Sequence, residues 1–378
     1  MHETLAMPLR KENDMDNTTI IILCMIGMSG IFLIIDLIKG NKETSIPNAI
    51  IGAGLGLFAP STYEIVINAV IVLSGKEIPD GVNPYVNLIS GFVLIGVGIY
   101  YRKNLKEKIH VLNMHGLTPR DISDASAIKE LKLADYKVKE RVIDFIPFFD
   151  GGRIDCKING FICKQIENDV LKFTAIISDN IGCFTGMAPI PYTIYAGTFM
   201  ENANIKRYFE YDGRSGQKKY YELKKATRKQ KKSGWPRLEK VFPNSIERDS
   251  TEMVLAISIS HNITDENLVQ FAGKDIVRLE IQGATDNVIQ SKEQLEEYSR
   301  VIYDCINTDI DNQYPGLQKI HLVASIPSCI SIEIGKNIGL RVNRNVNIIV
   351  YHFMRTSTPL YKFGVCVNGN NKGQYIEG

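Results

Sequence analysis

No Cys-x-x-Cys pair occurs in these 378 residues. The seven cysteines (Cys24, Cys156, Cys163, Cys183, Cys305, Cys329 and Cys366) form no metal-like cluster with the six histidines. That spacing argues against a zinc site. The odd count and scatter argue equally against a disulfide framework and suit reduced thiols acting as small buried hydrophobes. No serine, cysteine or carboxylate stands at a spacing that pairs a nucleophile with a base. The closest carboxylates, Asp309 and Asp311, fall at the end of an expected helix and read as solvated. No catalytic residue, metal site or cofactor is therefore assigned. "GAGLG" (Gly52 to Gly56) lacks the preceding strand, the third spaced glycine and the amphipathic helix of a dinucleotide loop. A strong net charge is missing too: the balance is +2, with a mean hydropathy of −0.06.

That average hides a split. The first hundred residues are strongly apolar, and the rest reads as a domain of normal charge density. Residues 20–38, "IIILCMIGMSGIFLIIDLI", hold one ionisable group, Asp36. About 20 apolar residues cross a bilayer. The apolar run is too long for a signal peptide, and Asp14 and Asp16 precede it where a basic region belongs. Residues 85–101, "YVNLISGFVLIGVGIYY", form a second span with tyrosines at its ends, followed by the basic "RKNLKEK". Positive charge hard against a span places the downstream chain in the cytoplasm. Residues 48–74 are apolar but interrupted by Pro60 and Glu64. They form either one kinked span, making three in all, or a re-entrant segment, leaving two. Asp36 and Glu64 are the candidate membrane or pore residues, since an intramembrane acid faces protein or water. Gly52, Gly56, Gly91, Gly96 and Gly98 read as small surfaces where helices approach closely.

Residues 110–143 are mixed and charged and read as a connector, giving a membrane region at 1–109 and a folded domain at 144–378. Within that domain, 161–166 and 170–178 read as strands. Asp212-Gly213 between two aromatic, alternating runs predicts a hairpin. Lys218 to Lys232 holds eight basic residues and one acid. It reads as a solvated loop, or as a site for phosphate or anionic lipid. Trp235, the single tryptophan, could stack on a base or fill a core.

Beyond Val241 strands alternate with helices: strands at 253–260, 275–281, 319–325 and 346–353, helices at 292–312 and 328–338, and a last strand at 361–367. This alternation predicts a parallel, doubly wound α/β sheet, in which ligands bind beyond the carboxyl ends of the strands. Two loops lie there, Ser260-His261-Asn262 and Ser325-Ile326-Pro327-Ser328-Cys329. The second opens a helix, where free N–H groups and the dipole favour an anion or a polar base edge, and where Ser328 could also be an N-cap.

The run "IHLVASIPSCISIEIGKNI…VNIIVYHF…YKFGVCV" resembles the C-terminal half of a SAVED domain: a strand, a small-residue and proline turn, a helix with Gly335-Lys336, and a strand ending at Tyr351. "PIPYTIYAGTF" and the "LAISIS" strand resemble its earlier parts. The resemblance covers about Asp144 to Gly378. It implies an α/β SAVED domain of two fused Rossmann-like, CARF-like lobes, and it adds Lys336, Tyr192 and Thr193 to the expected ligand-binding set. It further implies an effector of cyclic-oligonucleotide antiphage signalling (CBASS). Such an effector senses a cyclic di- or trinucleotide from a partner nucleotidyltransferase (CD-NTase), assembles into a homo-oligomer, and disrupts the bacterial inner membrane to kill or arrest the infected cell. The activating ligand replaces any cofactor, and no nucleic-acid polymer is expected as a partner. The alternatives are a membrane-anchored nuclease or nucleotide-cleaving enzyme, a CRISPR-linked CARF-like membrane sensor, and a lipid or nucleic-acid anchor using the Lys218–Lys232 run.

Overall fold

The computed structural model describes residues 45–75 and 84–378, apart from residues 106, 117–118, 151–153, 179, 214–217, 286 and 342–345, together with residues 23, 25–31, 33 and 34. The chain forms two units, Met1–Lys106 and Glu107–Gly378.

In the first unit, α1 (Ser45–Leu73) and α2 (Pro84–Asn104) pack on one another. Both are long and apolar enough to cross a membrane. Of the expected span at 20–38, residues 25–31 are helical and Asp36 lies outside the described residues. The segment interrupted by Pro60 is one helix of 29 residues, about 43 Å at 1.5 Å per residue. Proline removes one helix N–H. Around it, the Ser61 hydroxyl donates to the Leu57 carbonyl (2.7 Å) and the Thr62 hydroxyl to the Phe58 carbonyl (2.8 Å). Hydroxyls commonly bond the backbone next to proline in apolar helices. Glu64 is half-buried on α1.

The second unit is two Rossmann-like lobes. The first has strands in the order β2-β1-β3-β4-β5: β1 (Glu107–His115), β2 (Tyr136–Asp144), β3 (Ile181–Gly186), β4 (Ile205–Asp212) and β5 (Lys219–Glu222). All pairings are parallel except the β4–β5 hairpin, which joins Asp212 to Lys219. This confirms the hairpin at Asp212-Gly213. It corrects the connector expected at 110–143, because β1 lies inside the sheet with Val111 to Met114 buried. β2 exposes Lys137 and Lys139, so its charges read as linker. Helix α3 (Ala125–Glu130) lies between them.

The strands expected at 161–166 and 170–178 are also corrected. One helix, α5 (Cys156–Ile177), covers both, after the short α4 (Ile146–Asp150). Asp155 caps it, accepting from the Ile158 N–H at 2.8 Å. Ile162, Ile166, Val170, Phe173 and Ile177 recur every three or four residues and are buried, each worth about 1.5–3 kcal/mol when taken from water. That period is helical.

The second lobe has seven strands in the order β12-β11-β10-β9-β7-β8-β6. These are β6 (Leu238–Val241), β7 (Glu252–Ser258), β8 (Asp275–Ile281), β9 (Lys319–Ser325), β10 (Asn347–His352), β11 (Phe363–Cys366) and β12 (Tyr375–Glu377). The four central strands run parallel, while β6 pairs antiparallel with β8, β11 with β10 and β12 with β11, so the sheet is mixed rather than wholly parallel. Helix α6 (Ile190–Gly197) joins β3 to β4 in the first lobe, α7 (Arg228–Ser233) follows β5, and α8 (Lys292–Asp304) and α9 (Ser328–Arg341) lead into β9 and β10 of the second lobe. One core runs through both lobes, from Leu112 and Phe184 to Leu255 and Leu322.

Candidate ligand-binding cleft

The carboxyl ends of strands from both lobes face one cleft of about 1050 Å³. Ser260, His261, Asn262, Ser325, Pro327 and Ser328 all line it, as the strand-end rule predicts. The two loops are fastened together. The Ile259 and Ser260 N–H groups donate to the Ser325 carbonyl at 2.9 and 2.8 Å, and Ser325 Oγ lies 3.4 Å from His261 Nδ1.

Four expected residues stand elsewhere. Tyr192 is fully buried, donates to Asn159 Oδ1 at 3.1 Å and stacks on Phe145. Thr193 is buried with its hydroxyl on the Pro189 carbonyl (3.3 Å). Both sit on α6, whose residues 191–197 are all buried, so in sequence an apolar helix within the core looks like a ligand loop. Cys329 is wholly buried beneath the turn, where burial pushes its thiol well up. Lys336, two turns along α9, pairs with Glu333 (2.8 Å).

The start of α9 departs most from expectation. Its anion is already there, supplied by the protein. Glu210, at the end of β4 in the other lobe, accepts from the Ser328 hydroxyl (2.9 Å) and the Cys329 N–H (2.7 Å) on Oε1. Ser328 therefore donates to a carboxylate, and the Cys329 N–H goes to Glu210. Glu210 is 8% exposed. Burial pushes its carboxyl up, and the bonds from Cys329 and Ser328 pull it partly back.

The cleft's cations and rings are not evident from the sequence alone. Arg120, Lys218 and Arg355 line it, with Tyr211, Tyr221, Phe353 and Tyr361. Arg120 lies beyond the end of β1. Its carbonyl accepts from Asn113 Nδ2 (2.8 Å) and the Tyr220 hydroxyl (3.2 Å), and its guanidinium lies 4.6 Å over the Tyr211 ring. Cations interleaved with aromatic faces are how proteins hold nucleotide phosphates and bases. The signal for Tyr211 is present in the alternating "YFEYD" of β4.

Of the basic residues in the Lys218–Lys232 run, only Lys218 lines the cleft. Lys231 pairs with Glu293 at 3.1 Å. Trp235 packs against the core and donates to Glu297 (3.2 Å). Asp309 pairs with Lys240. Among the described residues no cluster of His, Cys, Asp and Glu could hold a metal ion.

Comparison with known proteins gives one family. The model of the SMODS-associated and fused to various effectors sensor domain, SAVED, matches residues 163–367. Among solved structures, the Acinetobacter baumannii Cap4 SAVED/CARF-domain containing receptor with the cyclic trinucleotide 2′3′3′-cAAA is 14% identical (TM-score 0.41) over 89% of this chain. The same receptor with 3′3′3′-cAAA is 14% identical (TM-score 0.43) over 88%. The Moraxella osloensis Cap4 SAVED/CARF-domain containing receptor is 13% identical (TM-score 0.38) over 92%. This chain spans 65% of the length of the Acinetobacter receptor and 64% of the Moraxella one. No functionally curated protein matches.

Proposed function

The chain belongs to the SAVED family, matched over more than half its length, and we propose that its cleft binds a cyclic oligonucleotide that switches on an antiphage effector. The observation that carries this reading is the cleft itself. At about 1050 Å³ it stands at the top of the usual range for small-ligand pockets, roughly 300–1,000 Å³. It therefore suits a ligand larger than one nucleotide. Three cations and four aromatic rings line it, the chemistry of phosphates and stacked bases. Membership of a sensor-domain family agrees with that chemistry.

The ligand comes from a partner CD-NTase during infection. Occupancy of the cleft favours an assembled homo-oligomer, and the ligand supplies only its difference in affinity between the two states. The N-terminal apolar helices carry that assembly into the cell membrane and breach it. Arg102 and Lys103 in the last turn of α2 keep the sensor on the cytoplasmic side. The role asked of the cleft is recognition, with no reaction of the ligand.

The test is thermal unfolding of the detergent-solubilised full chain with cyclic di-, tri- and tetranucleotides. A ligand at a hundred times its Kd stabilises by about 2.7 kcal/mol, so one ring size raises Tm by several degrees. If no ring shifts Tm, the sensor reading is overturned. A linear single strand that binds as tightly, with affinity falling steeply in salt, would support the nucleic-acid anchor instead.

A further inference from the structure

Glu210 changes what the cleft can read. The start of α9 would ordinarily attract a phosphate. Here Glu210 Oε1 already takes the Ser328 hydroxyl and the Cys329 N–H. A ligand phosphate in that place would set two anions side by side in a site with little water to screen them. The phosphates must lie elsewhere, and Arg120, Lys218 and Arg355 line the same cleft.

Both bonds from the turn end on Oε1. Among the described residues no N–H or O–H donates to Oε2, and the weak thiol of Cys329 is the one other donor near the carboxyl. A carboxylate that is 8% exposed and borders a cleft selects a ligand group that donates a hydrogen bond, because its own lone pairs are costly to leave unmet. Nucleotide phosphates only accept. Uracil offers one N–H between two carbonyl oxygens, which a carboxylate repels. Adenine, cytosine and guanine each present an exocyclic amine, and Tyr211 and Tyr361 line the cleft as faces for such a base.

Resting on the cyclic-oligonucleotide reading above, we propose that Glu210 is the specificity-determining residue of this cleft, accepting a hydrogen bond from the exocyclic amine of a base. It joins two tasks in one carboxyl: Oε1 ties β4 to α9, and Oε2 reads the base.

The experiment is calorimetric binding to the full chain in detergent. The probes are cyclic di- and trinucleotides of adenine, guanine, cytosine and uracil, then the best-binding ring with its amines removed (purine for adenine, hypoxanthine for guanine, 2-pyrimidinone for cytosine). Removing the amine weakens binding about ten- to a hundredfold, the discrimination a good base contact supplies. In Glu210→Gln that penalty shrinks to within about threefold, on the same scale. The proposal is overturned if the uracil ring binds as tightly as any other, or if amine removal changes the wild-type Kd by less than about threefold. Loss of the ribose 2′-hydroxyl mattering where loss of the amine does not would overturn it too. Should Glu210→Gln fail to fold, the wild-type series decides alone. Binding of no ring at all removes the sensor reading itself, and this inference with it.

Discussion

Gly335 of α9 crosses Gly197 of α6 so closely that a Cβ on Gly335 would lie 2.7 Å from the Gly197 Cα. One turn later, a Cβ on Gly339 would meet the Thr198 carbonyl oxygen at 2.9 Å. The small residues in the helix after the Pro327 turn are therefore a packing device that brings the two lobes together. Beside the crossing, the Tyr208 hydroxyl donates to Glu333, which also holds Lys336. Gly335→Ala forces the helices apart. It should cost at least about 2–3 kcal/mol, read as a lower urea midpoint, and it should weaken ligand binding because Glu210 and Ser328 approach from opposite lobes. An unfolding free energy within about 0.5 kcal/mol of wild type would show that the crossing tolerates a methyl group.

Arg120 and Arg355 approach the cleft from different lobes. Arg120→Ala and Arg355→Ala should each weaken ring binding about ten- to a hundredfold, as loss of a charge-assisted hydrogen bond does. Each should also lower the salt slope by about 1 for every phosphate left without its cation. Lys231→Ala, whose partner is Glu293, should leave both quantities unchanged. Equal effects in all three variants would mean a general field and no direct bond to phosphate.

Strands β7 to β11 are legible in sequence because most are short apolar runs between turn residues, as at 253–260 and 319–325, whereas the three- and four-residue edge strands β12 and β6 are too short to show a period. Helix α5 is not, because windows of six to nine residues cannot separate a period of 2 from one of 3.6. β2 resembles a linker because a half-exposed strand places Lys137 and Lys139 outward. The cleft divides the same way. Ser260–Asn262 and Ser325–Ser328 follow from a rule about single strands. Glu210 meets Ser328 across 118 residues of sequence, and Arg120 depends on which strands pair. The helix start is legible as an anion site, but the identity of the anion is a tertiary fact.

Acid should weaken the fold in two steps. His352 stands between the rings of Phe149 and Phe363, with centroids at 5.6 and 5.3 Å, and burial holds its imidazole down at about 4 from an ordinary 6.5. Between those values the unfolded chain binds the proton and the folded chain does not. Stability is thus whole above about 6.5 and is lost as pH falls towards about 4. Glu252, held at about 2 by Lys274 and Lys319 (2.6 Å each), loses its contribution only below about 4.5. His352→Phe should reduce the first step by about 1–2 kcal/mol after allowance for solvent screening, and His321, whose imidazole is also held down by burial, keeps the remainder. The check is urea unfolding at pH 7.5 and pH 4.5, and an identical loss in both proteins would assign the step to other groups.

In the N-terminal unit, a Cβ on Gly54 would lie 2.8 Å from the Gly91 carbonyl oxygen, and one on Gly98 would lie 3.0 Å from that of Pro47. Phe58 and Phe92 meet edge to face at 4.9 Å. If the two helices lie in lipid, where no hydrophobic force acts between them, such close backbone approach is what holds them. Gly91→Leu should separate α1 from α2 while leaving the sensor's affinity within about threefold, since the cleft is lined wholly by residues of the second unit. If the paired helices carry assembly into the bilayer, this variant binds the ring yet no longer causes dye leakage from vesicles or growth arrest in cells that make the ligand. Undiminished leakage would mean that the α1–α2 pair is only an anchor, and that another segment breaches the membrane.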